Sequence, residues 1–576
     1  MFSSKKNVLE TVALLKAHNI RDIVLSPGSR NSPFTLSVAA EPFFNCHTMV
    51  DERSAGYFAL GIIMATGCPV ALCCTSGTAV LNYGPAVAEA FYQHLPLIVI
   101  SADRPSAWIG QMDGQTIAQH AVFGSMVLKS IQVPEIVTDE DKWHANRVLN
   151  EALNACLEKG CGPVHINLPI TEPLGDFSVE TLPEVRVIRS TVAKSTIEKE
   201  LEALAPSHLK ELAETLLKSP KVMLVVGQRL PAEDGLLDTL ESLSANFGVL
   251  VLAEPLSNLQ SQHFFQSMEA LLSVKTVETP TFLITLGGHV VSKALKNFLR
   301  THKPARHLHL TASDDTPDLY QSLTDVVRGE PVLILKQLLH VLLEGSNVIK
   351  QVNNALRIKS FKGLEQLPFS DLKATGYFIQ ALPEKAVLFI GNSSTVRNVQ
   401  LFPLPAGCRV YCNRGTNGIE GTLSTACGFA SVTTELVFVE LGDLCFFYDL
   451  NILSNPSFPN NLRILLPNNG GGGIFHTINT TEVTHNYQKF VAASHPNEAK
   501  LWVKAANLAY LRVGSVALES DTSGRNWEED ALHEAIDQLI HANFTKSVVL
   551  EVLTPSDNGK EALAAYFKES LMQQII

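Results

Sequence analysis

Short apolar runs, each closed by glycine, proline or a small polar residue, alternate along this chain with longer stretches of helical spacing. In the first third the runs are RDIVLS, PVALCC, LPLIVIS and PVHINLP, with HTMV a further strand-like segment before Asp51. Helices rich in small residues are predicted from about Arg53 and from Thr78. Runs that are apolar at nearly every position mark strands covered on both faces, which means a parallel sheet between helical layers. The rhythm returns as KVMLVVGQ, VLVLAEP, TFLITLGG and HLHLTAS, and again as AVLFIGNSS, RVYCNRG, LVFVELGD, LRILLPNN and SVVLEVLTP. Two polar, weakly patterned stretches, Asp176 to about Pro206 and Glu344 to Leu372, read as linkers. The pattern therefore predicts an α/β protein of three doubly wound parallel-sheet domains, at 1–180, 200–345 and 370–576. The segment from about Thr480 to Trp527 is polar and irregular in pattern.

Composition narrows this picture. With 46% hydrophobic and 18% charged residues, the 576-residue chain folds compactly and is neither disordered nor fibrous. A net charge of −12, with no basic stripe, argues against nucleic-acid binding and requires that anionic substrates be captured by local Arg or Lys. No charge occurs between Ala55 and Ala88, but Gly67 and Pro69 cut that stretch into helix, strand and helix, so a buried layer is expected there and no membrane span. The N-terminus lacks the unbroken apolar core of a signal peptide. Ten scattered cysteines without a C-x-x-C pair signal neither zinc nor a disulfide framework, and a reducing cytoplasm is the expected location.

Candidate chemistry concentrates between Val437 and Phe475. One predicted strand stops at Gly442-Asp443; after 24 residues a second has stopped at Pro467, and Asn468-Asn469 and four glycines follow. Open α/β sheets bind ligands at such strand ends. A carboxylate, an amide oxygen and glycine carbonyls are hard oxygen ligands of the kind Mg²⁺ takes, usually together with phosphate oxygens. A strand and turn with a capping Asp and a glycine-rich loop would look the same. In the first domain, Pro27-Gly28 turns the chain after a strand, so Ser29 and Arg30 either face the crevice or Ser29 or Ser32 caps the next helix. Glu52 opens a helix, where a carboxylate already suits the macrodipole. Ser76-Gly77-Thr78 opens another with the geometry of an anion-binding turn. Arg104 and Gln115 lie on a further crevice-facing loop.

Taken together, SPGSR, DER before a small-residue helix, CTSGTA, ADRP, GGHVVSK, NSSTVR, NRGTNGIEGTLSTA, GDLCFFYDLN and NNGGGGIF resemble the 2-succinyl-5-enolpyruvyl-6-hydroxy-3-cyclohexene-1-carboxylate synthases (the MenD family) of thiamine-diphosphate enzymes. The resemblance runs through all three predicted domains in order. It implies pyrimidine-binding, central and diphosphate-binding domains, thiamine diphosphate with Mg²⁺ or Mn²⁺, and a transferase reaction in menaquinone biosynthesis. In it 2-oxoglutarate is decarboxylated and joined to isochorismate. Carried over residue by residue, it places Glu52 on the aminopyrimidine ring as the catalytic carboxylate. Asp443, Asn469 and the Gly471 carbonyl fall on the metal, and Ser76, Gly77, Ile419, Leu444, Gly472, Ile474 and Phe475 on the cofactor. Ser29, Arg30, Arg104, Gln115, Lys293, Ser393, Arg397 and Arg414 fall at substrate-facing positions. It also implies a homodimer, or a dimer of such dimers, in which Glu52 and Asp443 of one site come from different subunits.

Four arginines and one lysine meet the demand for local capture, because both implied substrates carry two carboxylates and the guanidinium fork matches them bidentately. Any one of these arginines could instead pair with a surface carboxylate. The chain departs from the family pattern at Gly114, where many members have Asn, at Cys445, where many have Ser, and at Pro467. Another thiamine-diphosphate carboligase or decarboxylase of the acetohydroxyacid synthase type would act on smaller monocarboxylates, against which the Arg-rich set argues. A catalytically silent cofactor-binding regulator would have no need of Glu52.

Overall fold

In a computed structural model the three sets of apolar runs form three separate sheets. The structure describes all residues except 159, 191–205, 275–276, 346–362, 476–483, 515–526, 557 and 573–576. Both predicted linkers therefore fall partly outside the described residues. Two compact units are distinguished: one comprises Met1–Thr191, Asn413–Glu435 and Cys445–Leu462; the other Val192–Cys412, Leu436–Leu444 and Arg463–Ile576.

The first unit holds a six-stranded sheet of order β2-β1-β3-β4-β6-β5, with β1 at Asp22–Leu25, β2 at Asn45–Thr48, β3 at Val70–Cys74, β4 at Leu97–Asp103, β5 at Lys129–Gln132 and β6 at Val164–Pro169. Every pair in it runs parallel. Residues such as Phe34, Val38, Ile100 and Ile166 are fully buried in its core. Since β1 continues to β2 on one side and β3 lies on the other, the strand order reverses between β1 and β3, and the turns after these two strands border the crevice.

The second unit holds two sheets. One is five-stranded, in the order β11-β10-β9-β7-β8, with β7 at Val222–Val226, β8 at Leu250–Ala253, β9 at Phe282–Leu286, β10 at Arg306–Thr311 and β11 at Asp325–Arg328. Its own reversal lies between β7 and β9, and main chain fills that crevice: a Cβ on Gly227 would stand 2.1 Å from the Gly288 carbonyl oxygen. The other is six-stranded, β13-β12-β14-β15-β17-β16, with β12 at Val387–Ile390, β13 at Arg409–Tyr411, β14 at Val437–Glu440, β15 at Leu462–Asn468, β16 at Ala509–Gly514 and β17 at Val548–Leu553. Here the order reverses between β12 and β14, which puts Asn392-Ser393 and Asp443 at the crevice.

The strands that the hydrophobic pattern left unmarked, β5, β11 and β16, are all at sheet edges and mostly half-exposed. With one flank facing water, they need no continuous apolar run. The irregular segment near the C-terminus thus contributes an edge strand, β16, and short helices at His485–Phe490 and Lys500–Ala505.

In the first unit the Glu52–Thr66 helix starts where Asp51 caps it, accepting the Ser54 backbone N–H at 3.0 Å, and stops at Gly67 in the left-handed region (φ 66°). A cap of this kind contributes about 1 kcal/mol. This helix lies directly on the Thr422–Ala430 helix. A Cβ on Gly61 would stand 1.9 Å from the Thr425 carbonyl oxygen, and one on Gly428 1.9 Å from that of Phe58. Only glycine at both positions lets the two backbones meet.

Candidate active site

The turn after β1 exists because Gly28 has no side chain; a Cβ there would stand 2.3 Å from that of Thr75, at the end of β3. The helix that follows, Ser32–Ala39, has no side-chain cap, and Ser32 Oγ instead donates to the Ser29 carbonyl at 2.8 Å. Capping therefore does not account for either serine. Arg30 is buried: its Nη1 donates to the Ile170 carbonyl at 2.8 Å and its Nη2 to Glu172 Oε1 at 2.9 Å. Arg104, after β4, reaches the same Glu172 oxygen at 3.2 Å, lies 3.3 Å from Asp113 and donates to the Gly114 carbonyl. Two arginines thus converge on one carboxylate whose own side chain is 67% exposed. Their electrostatics suit an anion, and Glu172 is the one they now hold.

Ser76 and Gly77 close β3 beside Gln115: a Cβ on Gly77 (φ 86°) would lie 3.3 Å from the Gln115 carbonyl oxygen. The Gly77 N–H is held at 2.8 Å by Gln119, whose amide nitrogen bonds Asn167 Oδ1 at 3.1 Å; Asn167 in turn donates to Asp103 at 2.9 Å. This buried chain fixes the turn, and no motif announced Gln119.

Glu52 stands at the first position of its helix, half-buried. Burial pushes its carboxyl up from the ordinary value, its own backbone N–H pulls it back, and Asp51 raises it further. It faces Cys74 and Tyr83, whose groups its charge helps push up after burial itself. A half-desolvated carboxylate of this kind suits proton transfer or a hydrogen bond to a ring nitrogen.

In the same unit, Arg414 lies buried on a loop tied down by Glu89, a fully buried carboxylate that accepts the Gly415 N–H, the Thr416 N–H and the Thr416 hydroxyl, each at 2.7 Å. Ile419, half-buried, has its carbonyl bonded by the Cys445 thiol. Cysteine in the place of serine thus still donates, which accounts for that departure.

The second unit gathers the expected metal ligands. Asp443, after β14, accepts the Leu444 N–H at 2.6 Å on one oxygen and the Gly471 N–H at 2.9 Å on the other; His495 stands 3.4 Å away. Asn469 follows β15. Its amide nitrogen donates to Asp371 at 2.6 Å, while its Oδ1 is buried without a hydrogen-bond partner among the described residues. A buried oxygen left open in this way costs about 1–3 kcal/mol unless something binds it. A hard cation would, so the donor set of carboxylate, amide oxygen and glycine main chain fits Mg²⁺. Gly472 donates to the Ala492 carbonyl at 2.6 Å, Ile474 is buried and Phe475 is 36% exposed.

A cavity of about 180 Å³ opens beside this loop, lined among others by Asp371, Ser394, Arg397, Asn469, Gly473 and Ile474. Ser393 takes an unusual backbone conformation (φ 70°, ψ −123°), and Arg397 donates to its carbonyl. Strain of this kind clusters at ligand sites. Lys293 is exposed at the start of the Lys293–Thr301 helix. The cap of that helix, Ser292, bonds Glu269 at 2.8 Å, and Glu269 lines the same cavity. Glu172, Gln119, Glu89 and Asp371 are the residues that sequence reasoning missed. Each is a single polar side chain to which no motif assigned a role.

A family model described as "Thiamine pyrophosphate enzyme, N-terminal TPP binding domain" matches residues 10–123. A relative from Bacteroides thetaiotaomicron is 42% identical over 95% of this chain and 97% of its own length, and one from Phocaeicola vulgatus is 41% identical over 98% and 99%. Both are named 2-succinyl-5-enolpyruvyl-6-hydroxy-3-cyclohexene-1-carboxylate synthase. Among solved structures, benzoylformate decarboxylase from Polynucleobacter necessarius superposes with a TM-score of 0.73 over 96% of this chain and 99% of its own, at 17% identity, which establishes the shared fold. The chain belongs to the 2-succinyl-5-enolpyruvyl-6-hydroxy-3-cyclohexene-1-carboxylate synthase family of thiamine-diphosphate enzymes.

Proposed function

We propose that this chain is the transferase that decarboxylates 2-oxoglutarate and joins the remainder to isochorismate, releasing CO₂, in menaquinone biosynthesis. The observation that carries the substrate class is the convergence of Arg30 and Arg104 on one exposed carboxylate, a seat built for an anion in a chain of net charge −12. Thiamine diphosphate, when bound, supplies the electron sink for decarboxylation. Asp443, Asn469 and the Gly471 carbonyl would hold Mg²⁺ or Mn²⁺ on its diphosphate, with Leu444, Gly472, Ile474, Ser76 and Gly77 against the cofactor. Glu52 would accept a hydrogen bond from the pyrimidine ring and control its protonation. Arg30, Arg104, Arg397, Arg414 and Lys293 orient the carboxylates, with Ser29, Gln115 and Ser393 as polar contacts, and Ile419 and Phe475 form apolar walls that keep water out.

The domain limits 1–180, 200–345 and 370–576 are part of this proposal; each contains one of the three sheets. So is a cytoplasmic location: all ten cysteines are free, and among the described residues no helix is long and apolar enough to cross a membrane. The assembly proposed is a homodimer. Refolding a mixture of Glu52→Gln and Asp443→Ala chains then returns roughly a quarter of wild-type activity. No recovery from verified mixed dimers refutes sites shared between subunits.

The test of function is CO₂ release by the purified protein with thiamine diphosphate, Mg²⁺ and isochorismate. Release with 2-oxoglutarate and not with pyruvate is expected, and the reverse preference would overturn the assignment.

A further inference from the structure

We propose that Asp371 is a positioning residue for the metal site: it holds the amide of Asn469 so that the amide oxygen, and not the nitrogen, is presented to the ion. The inference rests on reading Asn469 as a metal ligand. Amide oxygen and nitrogen are nearly the same size, and an asparagine turned the wrong way offers a cation two N–H donors in place of a lone pair. Something must set the orientation. Asp371 Oδ2 accepts from Asn469 Nδ2 at 2.6 Å, and its Oδ1 accepts from the Thr554 hydroxyl. An ionised carboxylate only accepts, so the amide face toward Asp371 has to be the NH₂, and the planar group turns its oxygen away. That oxygen is the buried one without a hydrogen-bond partner among the described residues.

The amide is also confined from another side. A Cβ on Gly473 would stand 2.5 Å from Asn469 Nδ2, so only glycine leaves room for it there. Asp371 is itself anchored. It opens the Asp371–Ala381 helix capped by Ser370, and Thr375 ties its carbonyl at 2.9 Å to the buried Glu440 at 2.5 Å. The Thr554 bond adds the loop after β17, whose Thr554 N–H donates to the Asn468 carbonyl at 3.0 Å. Asp371 thus joins the loops after β15 and β17 and fixes one donor of the site.

Outer groups that orient metal ligands typically contribute 10- to 100-fold in metal affinity. The experiment is calorimetric titration of the full-length protein with thiamine diphosphate at a series of Mg²⁺ concentrations, for the wild type and for Asp371→Asn, Asn469→Ala and Gly473→Ala. Asn at 371 keeps the volume but can donate to Asn469 and reverse it. The expected result is that Asp371→Asn needs about 10- to 100-fold more Mg²⁺ for half-saturation while the melting temperature without ligand stays near wild type. A purely structural role would move the melting temperature and leave the Mg²⁺ dependence alone, and that outcome overturns the proposal. Where Asp371→Asn fails to fold, Gly473→Ala decides: its added methyl displaces the amide and is expected to raise the Mg²⁺ requirement, and an unchanged requirement is again fatal. Metal-independent cofactor binding by the wild type, or normal binding by Asn469→Ala, would instead overturn the ligand assignment on which this inference rests.

Discussion

At the carboxyl end of the first sheet, Arg30 and Arg104 hold a carboxylate of the chain itself, the exposed Glu172; at the carboxyl end of the third sheet, Asn469 Oδ1 lies buried with no hydrogen-bond partner among the described residues. Both places are turns at the carboxyl ends of parallel strands at or one strand away from a reversal of strand order, so backbone topology does not separate them. Side-chain charge does. The first is a pair of guanidinium groups on an exposed internal carboxylate, where the proposed function seats a substrate carboxylate. The second is a carboxylate, an open amide oxygen and glycine main chain, where the proposed function seats a cation. On that proposal one region binds by exchange, the other by addition.

Five experiments break or sharpen this contrast. The largest effect is expected from Asp443→Ala, which removes the anionic donor of the cation seat and abolishes metal-dependent binding of thiamine diphosphate; calorimetry with unchanged affinity would remove Asp443 from that role. Glu52→Gln keeps cofactor affinity but lowers turnover by two or more orders of magnitude, about 2.7 kcal/mol of barrier, because its carboxylate acts on the proton and not on the diphosphate. Normal turnover would exclude it. Next comes Arg104→Ala, where a lost charge-assisted contact of roughly 1.5–3 kcal/mol lowers kcat/KM for one dicarboxylate substrate by one to two orders of magnitude and spares the cofactor. Small, equal losses for both substrates would make Arg104 a structural partner of Glu172.

The smallest effects come from carboxylates that are not ligands. Glu172→Gln removes the occupant of the anion seat and lowers the KM of the displaced substrate a few-fold, whereas a rise in KM would mean that Glu172 holds the arginines in place. Glu440, behind the cation seat, is fully buried, and burial pushes its carboxyl from an ordinary 4.5 to about 8. The unfolded chain ionises this group near pH 4.5 and the folded one near pH 8, so its contribution to stability is lost as pH rises through that window. Glu440→Gln is therefore expected to melt a few degrees higher than wild type at pH 8 and at the same temperature at pH 4.5. A difference that does not change with pH would show that Glu440 does not titrate in the fold.

The fold was legible wherever burial leaves a mark on sequence. Central strands such as β3 and β9, buried at every position, appear as unbroken apolar runs. The edges β5, β11 and β16 do not, since half-exposed strands admit charge and polarity. The candidate site divides in a similar way. Asp443, Asn469, Gly471 and Arg30 stand inside motifs whose glycines and prolines shape a turn. Asp371 reads only as the first residue after a capping serine, and Glu172 as one acid in a loop. What they do depends on a partner 98 residues from Asp371 and others 142 and 68 residues from Glu172, and no local pattern records such a pairing.

The glycine contact between the Glu52–Thr66 and Thr422–Ala430 helices sets a clock on synthesis. Gly61 leaves the ribosome some 360 residues before Thr425, its neighbour in the finished unit. At about 5–20 residues per second this is roughly 20–70 s before the backbone that meets the Gly61 face of the Glu52-bearing helix has been made. Over that interval the face around Gly61 waits for its partner helix. Larger residues at Gly61 or Gly428 would prolong that wait indefinitely, because the late helix would arrive and find no room to dock.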